Sequence, residues 1–310
     1  MKNKGDNRCL VVGYGSIGAR HARVLSELGC RVSVVSMHER SFPTVYKELA
    51  SAMKESDYDY VIIANRTSEH YQTLKDLSDL GYSGIVLVEK PLFENYYSFD
   101  ISKFEKVLVG YNLRFHPLIT RLKVLLDNDL ILSTQAYVGQ YLPQWRPERD
   151  YSQCYSSDKA SGGGVIRDLS HELDYLNWLL GGWKRLVARG GTFSSLAINS
   201  DDFYCIMLET LKSPLVNVQL NYMDRITQRQ IIMVGEKNTY VADMIRGCIN
   251  INGEEESFVV DRDFTYRAMH EAVLNQDYST LCSYQEGMEV LKIIQSAESS
   301  NSNERWAYNE

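Results

Sequence analysis

The chain has 310 residues, of which 44% are hydrophobic and 24% charged, and its formal net charge is −7. Such a composition belongs to globular proteins and excludes the disordered and fibrous classes. No basic block stands out to meet a phosphate backbone, which excludes a nucleic-acid partner. A single core usually stops growing at this length, so two domains are expected.

The first residues, Met1 to Arg8, are polar, and no run of about 18 apolar residues occurs anywhere, so neither a leader nor a membrane span is expected. Six cysteines stand singly, at 9, 30, 154, 205, 248 and 282. Without a Cys-x-x-Cys pair they signal neither a zinc site nor a redox couple. Free thiols, no metal, and a soluble cytoplasmic protein with no membrane partner are the expectation.

In chain order, Cys9 to Val12, Val32 to Val35, Tyr60 to Ala64, Ile85 to Val88 and Val107 to Val109 are short Val- and Ile-rich runs without alternation. Such runs predict strands covered on both faces, as in a parallel sheet. Ile17 to Leu28 and Glu69 to Leu80 have helical spacing, the second with Thr67 or Ser68 as cap and Gly81 as stop. Strand and helix alternating in this way predict a doubly wound α/β Rossmann domain over residues 1–116.

From Pro117 the pattern changes, and residues 117–310 are predicted to form a C-terminal α+β domain with a large, mostly antiparallel open sheet. A helix at Leu118 to Leu126 precedes strands at Ile131 to Gln140, Leu186 to Gly191, Phe203 to Thr210, Leu215 to Tyr222, Gln230 to Val234, Thr239 to Asp243 and Ser257 to Val260. Gly162 to Gly164 open a helix that runs to about Leu180, and helices near Tyr266 to Asn275 and Tyr284 to Ala297 close the chain.

Gly13-Tyr14-Gly15-Ser16-Ile17-Gly18 fits G-x-G-x-x-G between a buried strand and an amphipathic helix, the setting a dinucleotide turn requires. Gly13 permits the tight turn, Gly15 the approach of a pyrophosphate, and Gly18 close packing of helix on strand. The amides of Tyr14, Ser16 and Ile17 then receive phosphate charge at the helix start. After the second strand, where an acidic residue would hold the ribose of NAD, the chain has Ser36-Met37-His38-Glu39-Arg40. Ser36 with Arg40 slightly favours NADP, because a guanidinium grips a 2′-phosphate; Glu39 keeps NAD open.

Glu89-Lys90-Pro91 follows the fourth strand, so Lys90 is predicted to face the crevice at the carboxyl ends of the sheet. Asp168, His171 and Asp174 recur at threes and share one face of the predicted helix, where carboxylates set the charge and tautomer of a histidine. Between them, in the segment Tyr141 to Tyr151, Trp145 offers a ring to a sugar face. Arg146, Arg149 and Tyr151 offer donors to an anionic group.

Five ordered motifs carry a resemblance over essentially the whole chain. They are the glycine turn, Ala64-Asn65-Arg66-Thr67-Ser68-Glu69-His70, Glu89-Lys90-Pro91, Gly110-Tyr111-Asn112-Leu113-Arg114-Phe115-His116-Pro117, and the Gly-Gly-Gly…Asp…His helix. Together they resemble the glucose–fructose oxidoreductase, inositol dehydrogenase and rhizopine-catabolism (Gfo/Idh/MocA) family. The resemblance implies Lys90, His171 and Asp168 as catalytic or substrate-positioning groups. It also implies Asn65, Thr67, His70 and Glu89 on the cofactor side, Asn112 and Arg114 on the substrate side, and a homo-oligomer formed through the open sheet. Many members separate the Asp and His by four positions; here they are three apart, which leaves Asp174 as an alternative partner of His171.

The reaction this implies is hydride exchange between a nicotinamide and a sugar-like carbinol, such as an acidic or nucleotide-linked sugar. His171 takes the hydroxyl proton and Lys90 stabilises charge on that oxygen. The alternatives are a non-catalytic dinucleotide sensor on the same fold, and an enzyme that uses bound NAD transiently for isomerisation.

Overall fold

A computed structural model describes residues 7–38, 41–145 and 147–309. The chain divides into two compact units, residues 1–115 with 262–288, and residues 116–261 with 289–310.

The first unit begins with β1 (Arg8–Val12), α1 (Ser16–Glu27), β2 (Arg31–Val35), β3 (Val45–Tyr46), α2 (Leu49–Glu55), β4 (Tyr60–Ile63), α3 (His70–Asp79), β5 (Ile85–Val88) and β6 (Lys106–Val109). These six strands pair in parallel in the order β3-β2-β1-β4-β5-β6. All four residues of β4 and of β5 are buried, as the unbroken apolar runs demand of strands covered on both faces. The strand order reverses between β1 and β4, and such a sheet leaves a crevice for ligands at that switch point. The helix α3 is entered through a 3-10 turn at Thr67–Glu69, so neither Thr67 nor Ser68 caps it, while Gly81 ends it at φ +80°.

The second unit continues with α4 (Pro117–Leu126), β7 (Ile131–Gly139), α5 (Val165–Asp168), α6 (His171–Leu179), β8 (Trp183–Gly191), β9 (Phe203–Thr210), β10 (Leu215–Asn221), β11 (Gln228–Gly235), β12 (Thr239–Asp243), β13 (Cys248–Ile251) and β14 (Glu254–Ser257). Its sheet runs β14-β13-β12-β11-β7-β10-β9-β8, antiparallel at every pairing except β7 with β10. Side chains alternate: Ala136, Val138, Ile206, Leu208, Val218, Leu220, Ile231 and Met233 are buried, while Gln135, Cys205 and Met207 are exposed. Each fully buried Leu or Ile of that set contributes roughly 1.5–3 kcal/mol.

Three predicted elements change. The strand expected at Ser257 to Val260 instead occupies β14, paired with a hairpin partner, β13, that lacks strong alternation. The helix expected from Gly162 to Leu180 is broken into α5 and α6, because Ser170 N bonds to Arg167 O and the ladder tightens at Leu169–Ser170. Asp168 and His171 therefore lie on successive helical pieces, not on one continuous face.

The third change concerns the domain boundary, expected once at 116/117. After β14 the chain returns to the first unit through α7 (Phe264–Leu274) and β15 (Cys282–Ser283). There β15 adds an antiparallel edge to β6, and Tyr266, Met269 and Val273 of α7 join the core of the parallel sheet. Finally α8 (Tyr284–Asn303) leads to β16 (Ala307–Tyr308), which pairs with β8. Among the described residues no helix is long and apolar enough to cross a membrane, and no group of three His, Cys, Asp or Glu residues is placed to hold a metal.

Candidate active site

In the first unit the glycine turn has the geometry its sequence demands. Gly13 adopts φ +94° and packs so tightly on Asn65 that a Cβ would strike its backbone; a Cβ at Gly18 would strike the Gly13 carbonyl. At Gly15 the space is open, with nothing within 4 Å of a Cβ. The first amides of α1, which begins at Ser16, have no intrahelical acceptor. An open cradle beside such amides fits the pyrophosphate of a dinucleotide.

Around this turn the predicted cofactor residues divide. Ser36 is buried at the end of β2, where its hydroxyl donates to His38 O at 3.1 Å. Arg40 and Glu39 lie outside the described residues. Asn65 follows β4 and donates to Thr73 Oγ1 at 2.8 Å, and Thr67 is buried in the 3-10 turn beyond it. His70 faces inward: it is 1% exposed, and Nδ1 lies 3.2 Å from both Pro91 O and Leu92 O. Burial holds its imidazole below the usual value, so it is neutral near pH 7 and Nδ1–H donates to these carbonyls. His70 thus braces the backbone just after Lys90.

Glu89 and Lys90 close β5. Glu89 is buried, and Gly110 alone leaves room for it, since a Cβ there would come within 2.9 Å of Oε1. Its Oε2 accepts from Lys90 N at 3.1 Å and its Oε1 lies 2.8 Å from His21 Nε2. Burial pushes this carboxyl up, but the hydrogen bond and charge of His21 and the charge of Lys90 bring it below the ordinary value. Lys90 itself is half-buried. Asn112, expected on the substrate side, donates to Thr265 Oγ1 at 2.6 Å, and Arg114, expected there too and 2% exposed, pairs with Glu286 at 2.8 Å.

In the second unit the lone parallel pairing sends the chain out of β7 and β10 at the same edge of the sheet. Tyr141 and Tyr222 leave side by side there, Leu142 N bonding to Tyr222 O at 3.0 Å. Asp168, at the end of α5, receives the hydroxyls of Tyr222, at 2.6 Å, and of Tyr155. With two donors aimed at it, Asp168 is an acceptor, and its charge adds to burial in holding the Tyr222 phenol protonated. Trp145 packs edge-on to Tyr222 at 5.3 Å, and the exposed Arg225 guanidinium lies 3.3 Å above the Tyr141 ring.

His171 begins α6 and is half-buried, whereas Asp174 is 1% exposed inside the unit. Gly163 and Gly164 carry the chain into this region; a Cβ at either would strike the Tyr155 carbonyl or the Asp201 carboxylate. Arg149 is exposed, Tyr151 accepts from Ala197 N at 3.3 Å, and Arg146 lies outside the described residues. The unit therefore gathers Asp168, Tyr155, Tyr222 and Trp145 directly. Tyr222, Arg225, His21 and His270 were not singled out by sequence. Tyr222 ends a strand like any core tyrosine, and His270 lies 249 residues from its partner His21.

Residues 7–100 match the family described as "Oxidoreductase family, NAD-binding Rossmann fold", and residues 121–241 match "GFO/IDH/MocA C-terminal domain". YteT of Bacillus subtilis (strain 168), described as an oxidoreductase, is 25% identical over 136 residues. That stretch is 42% of this chain and 31% of YteT, so the match spans about a third of the relative's length. Similar solved structures include the WlbA dehydrogenase from Bordetella pertussis in complex with NADH and UDP-GlcNAcA. Its TM-score is 0.82 at 16% identity, covering 98% of each chain. Levoglucosan dehydrogenase in complex with NADH gives 0.85 at 14% identity, covering 97% of this chain and 98% of that one. GenD2 from gentamicin A biosynthesis, in complex with NAD, gives 0.81 at 20%, covering 98% and 96%. At these identities the likeness is one of fold.

Proposed function

This chain belongs to the Gfo/Idh/MocA oxidoreductases, and from that premise we propose that it moves a hydride between a nicotinamide dinucleotide and a carbinol carbon of a sugar-like substrate. The observation that carries this reading is the open cradle at Gly15 on the same sheet edge as the Glu89–Lys90 turn. When bound, the dinucleotide supplies the hydride acceptor or donor. Gly13 to Gly18 hold its phosphates through the α1 amides.

Lys90 holds positive charge toward the substrate oxygen, favouring its anionic form, and His171 takes the hydroxyl proton. Asp168, as an acceptor fixed by Tyr155 and Tyr222, orients donors of the substrate or of His171. Trp145 and Tyr141 offer ring faces to a sugar, and Arg149 and Arg225 suit an anionic substituent such as a carboxylate or phosphate. Ser36 in place of an acidic residue supports NADP as the cofactor. The half-apolar outer face of the nine-stranded sheet, with Val187, Met207 and Ile232, supports a homo-oligomer joined there, which light scattering of the protein and of Met207→Asp tests.

The reading is tested by following reduced-nicotinamide absorbance with a panel of neutral, acidic and nucleotide-linked sugars, using NAD and NADP separately. Lys90→Met is expected to lower turnover by at least about 100-fold, the scale of one positioned charge, with dinucleotide affinity retained. A variant that loses dinucleotide binding while its remaining holoenzyme turns over normally contradicts the assignment. A dinucleotide-sensing protein would bind the cofactor and leave every substrate untouched.

A further inference from the structure

Four side chains that sequence spacing does not connect form one buried line in the first unit. Glu89 Oε1 lies 2.8 Å from His21 Nε2, His21 Nδ1 lies 2.8 Å from His270 Nε2, and His270 Nδ1 lies 3.1 Å from the Tyr60 hydroxyl. His21 and His270 are 0% exposed and Tyr60 is 1% exposed. The line begins beside Lys90, whose backbone amide is held by the other oxygen of Glu89.

The number of protons on this line decides the direction of every bond in it. Glu89 is ionised and accepts from His21 Nε2–H, while burial and the charge of His21 hold His270 well below the ordinary value, hence neutral with one N–H. If His21 is neutral, its Nδ1 accepts, so His270 donates from Nε2 and accepts from Tyr60 at Nδ1. If His21 carries a second proton on Nδ1, it donates to His270 Nε2; His270 then donates from Nδ1 to the Tyr60 oxygen. The first arrangement satisfies every donor and acceptor of the line; in the second the Tyr60 oxygen accepts and its own O–H has no acceptor within the line, so an apolar surrounding favours the first.

The groups packed around the line do not upset this count. On α7, the Tyr266 ring meets His21 edge-on at 5.2 Å and lies under Arg20, which pairs with Asp263 at 3.3 Å. On the Tyr60 side, the free Cys9 thiol is pushed up by its hydrogen bond with the Cys30 thiol and by burial, and burial pushes the Tyr60 phenol up. The charged groups nearest the line among the described residues are Lys90 at one end and, beside it, Arg20 and Asp263, the latter also paired with Arg23 at 2.6 Å.

We infer that His21 is a positioning residue for Lys90, and that His270 and Tyr60 let it take one proton from solvent and return it by reversing two buried hydrogen bonds. With His21 neutral, Lys90 faces a hydrogen-bonded carboxylate whose charge is uncompensated; with His21 charged, it faces a neutralised pair. The line thereby sets how firmly Lys90 holds its own proton. This rests on the assignment of Lys90 made above.

The test uses the full-length protein with 15N-labelled histidines, without added ligand, over pH 5 to 9. The expected spectrum shows His270 carrying its proton on Nε2 at high pH and on Nδ1 at low pH, in step with the second protonation of His21. A His270 that stays on one nitrogen throughout, or becomes a cation itself, overturns the inference.

In turnover, His21→Gln keeps a donor for Glu89 but cannot carry charge. Parent and variant should differ in kcat/KM at pH values where the spectra show His21 charged and converge where they show it neutral, with dinucleotide affinity within about twofold of the parent. A difference that persists where His21 is neutral, or is absent where it is charged, overturns the link to Lys90. The spectra need neither cofactor nor substrate, so absence of turnover across the sugar panel counts against hydride transfer alone.

Discussion

Three glycines of the dinucleotide turn meet three different surroundings, and substitutions at them separate binding from folding. A Cβ at Gly18 would collide with the Gly13 carbonyl, whereas one at Gly15 enters open space. Gly18→Ala is therefore expected to destabilise the protein by about 1–3 kcal/mol, the range for forced overpacking. Gly15→Val should leave the melting temperature of the ligand-free protein nearly unchanged and reduce dinucleotide affinity at least about tenfold, because it fills the place of a phosphate. Denaturant unfolding and dinucleotide titration of the two variants check this, and equal loss of stability in both would refute it. These roles were legible because strand, turn and helix are adjacent in sequence. The partners of Glu89 were not legible, since a carboxylate before Lys90 gives no hint that His21 and His270 lie behind it. Asn112 and Arg114 stood in a recognisable motif, yet their hydrogen-bond partners, Thr265 and Glu286, come from the far end of the chain.

At the scale of elements, the strands of the first unit were readable because both faces are covered and apolar residues run unbroken. The short β3 and α2 carry no such run and escaped notice. The break between α5 and α6 escaped for another reason: Val165 to Leu180 has good helical periodicity, and the departure is imposed by what α5 packs against. Asp201 accepts Ile166 N at 3.0 Å at the start of α5. Burial, partly offset by that amide and by Arg167, pushes its carboxyl up to about 6 from an ordinary 3.8. A folded value above the unfolded one stabilises at acid pH, and that contribution is lost as pH rises from about 4 through 6. At pH 7.5 the ionised group then costs on the order of 3 kcal/mol. Asp201→Asn, which keeps an acceptor for Ile166, is expected to melt higher relative to the parent at pH 7.5 than at pH 4. Calorimetry at the two values decides, and a pH-independent difference would remove Asp201 as the source.

At the scale of the whole molecule, both fold class and domain order were legible, because composition and strand character change near Pro117. What chain order conceals is that the first unit is discontinuous. Binding to the folded state alone raises stability by mass action, so a dinucleotide at about 100 times its Kd should add about 2.7 kcal/mol. Thermal unfolding at graded dinucleotide concentrations measures it, and a melting temperature indifferent to ligand would argue against the cradle at Gly15.

The return of residues 262–288 to the parallel sheet also orders events during synthesis. When β1 to β6 have left the ribosome, His21 and Glu89 are present but His270 is not, and the apolar surface that Met269 and Val273 cover still faces water. A nascent chain holds that half-finished sheet while almost 150 further residues are made, a period in which chaperones have a surface to grip. A chain cut after residue 261 should stay in that condition, recovered mainly with chaperones or in aggregates and without dinucleotide affinity. Competence to bind the cofactor is thus acquired near the end of translation, although the motif that announces it is among the first things translated.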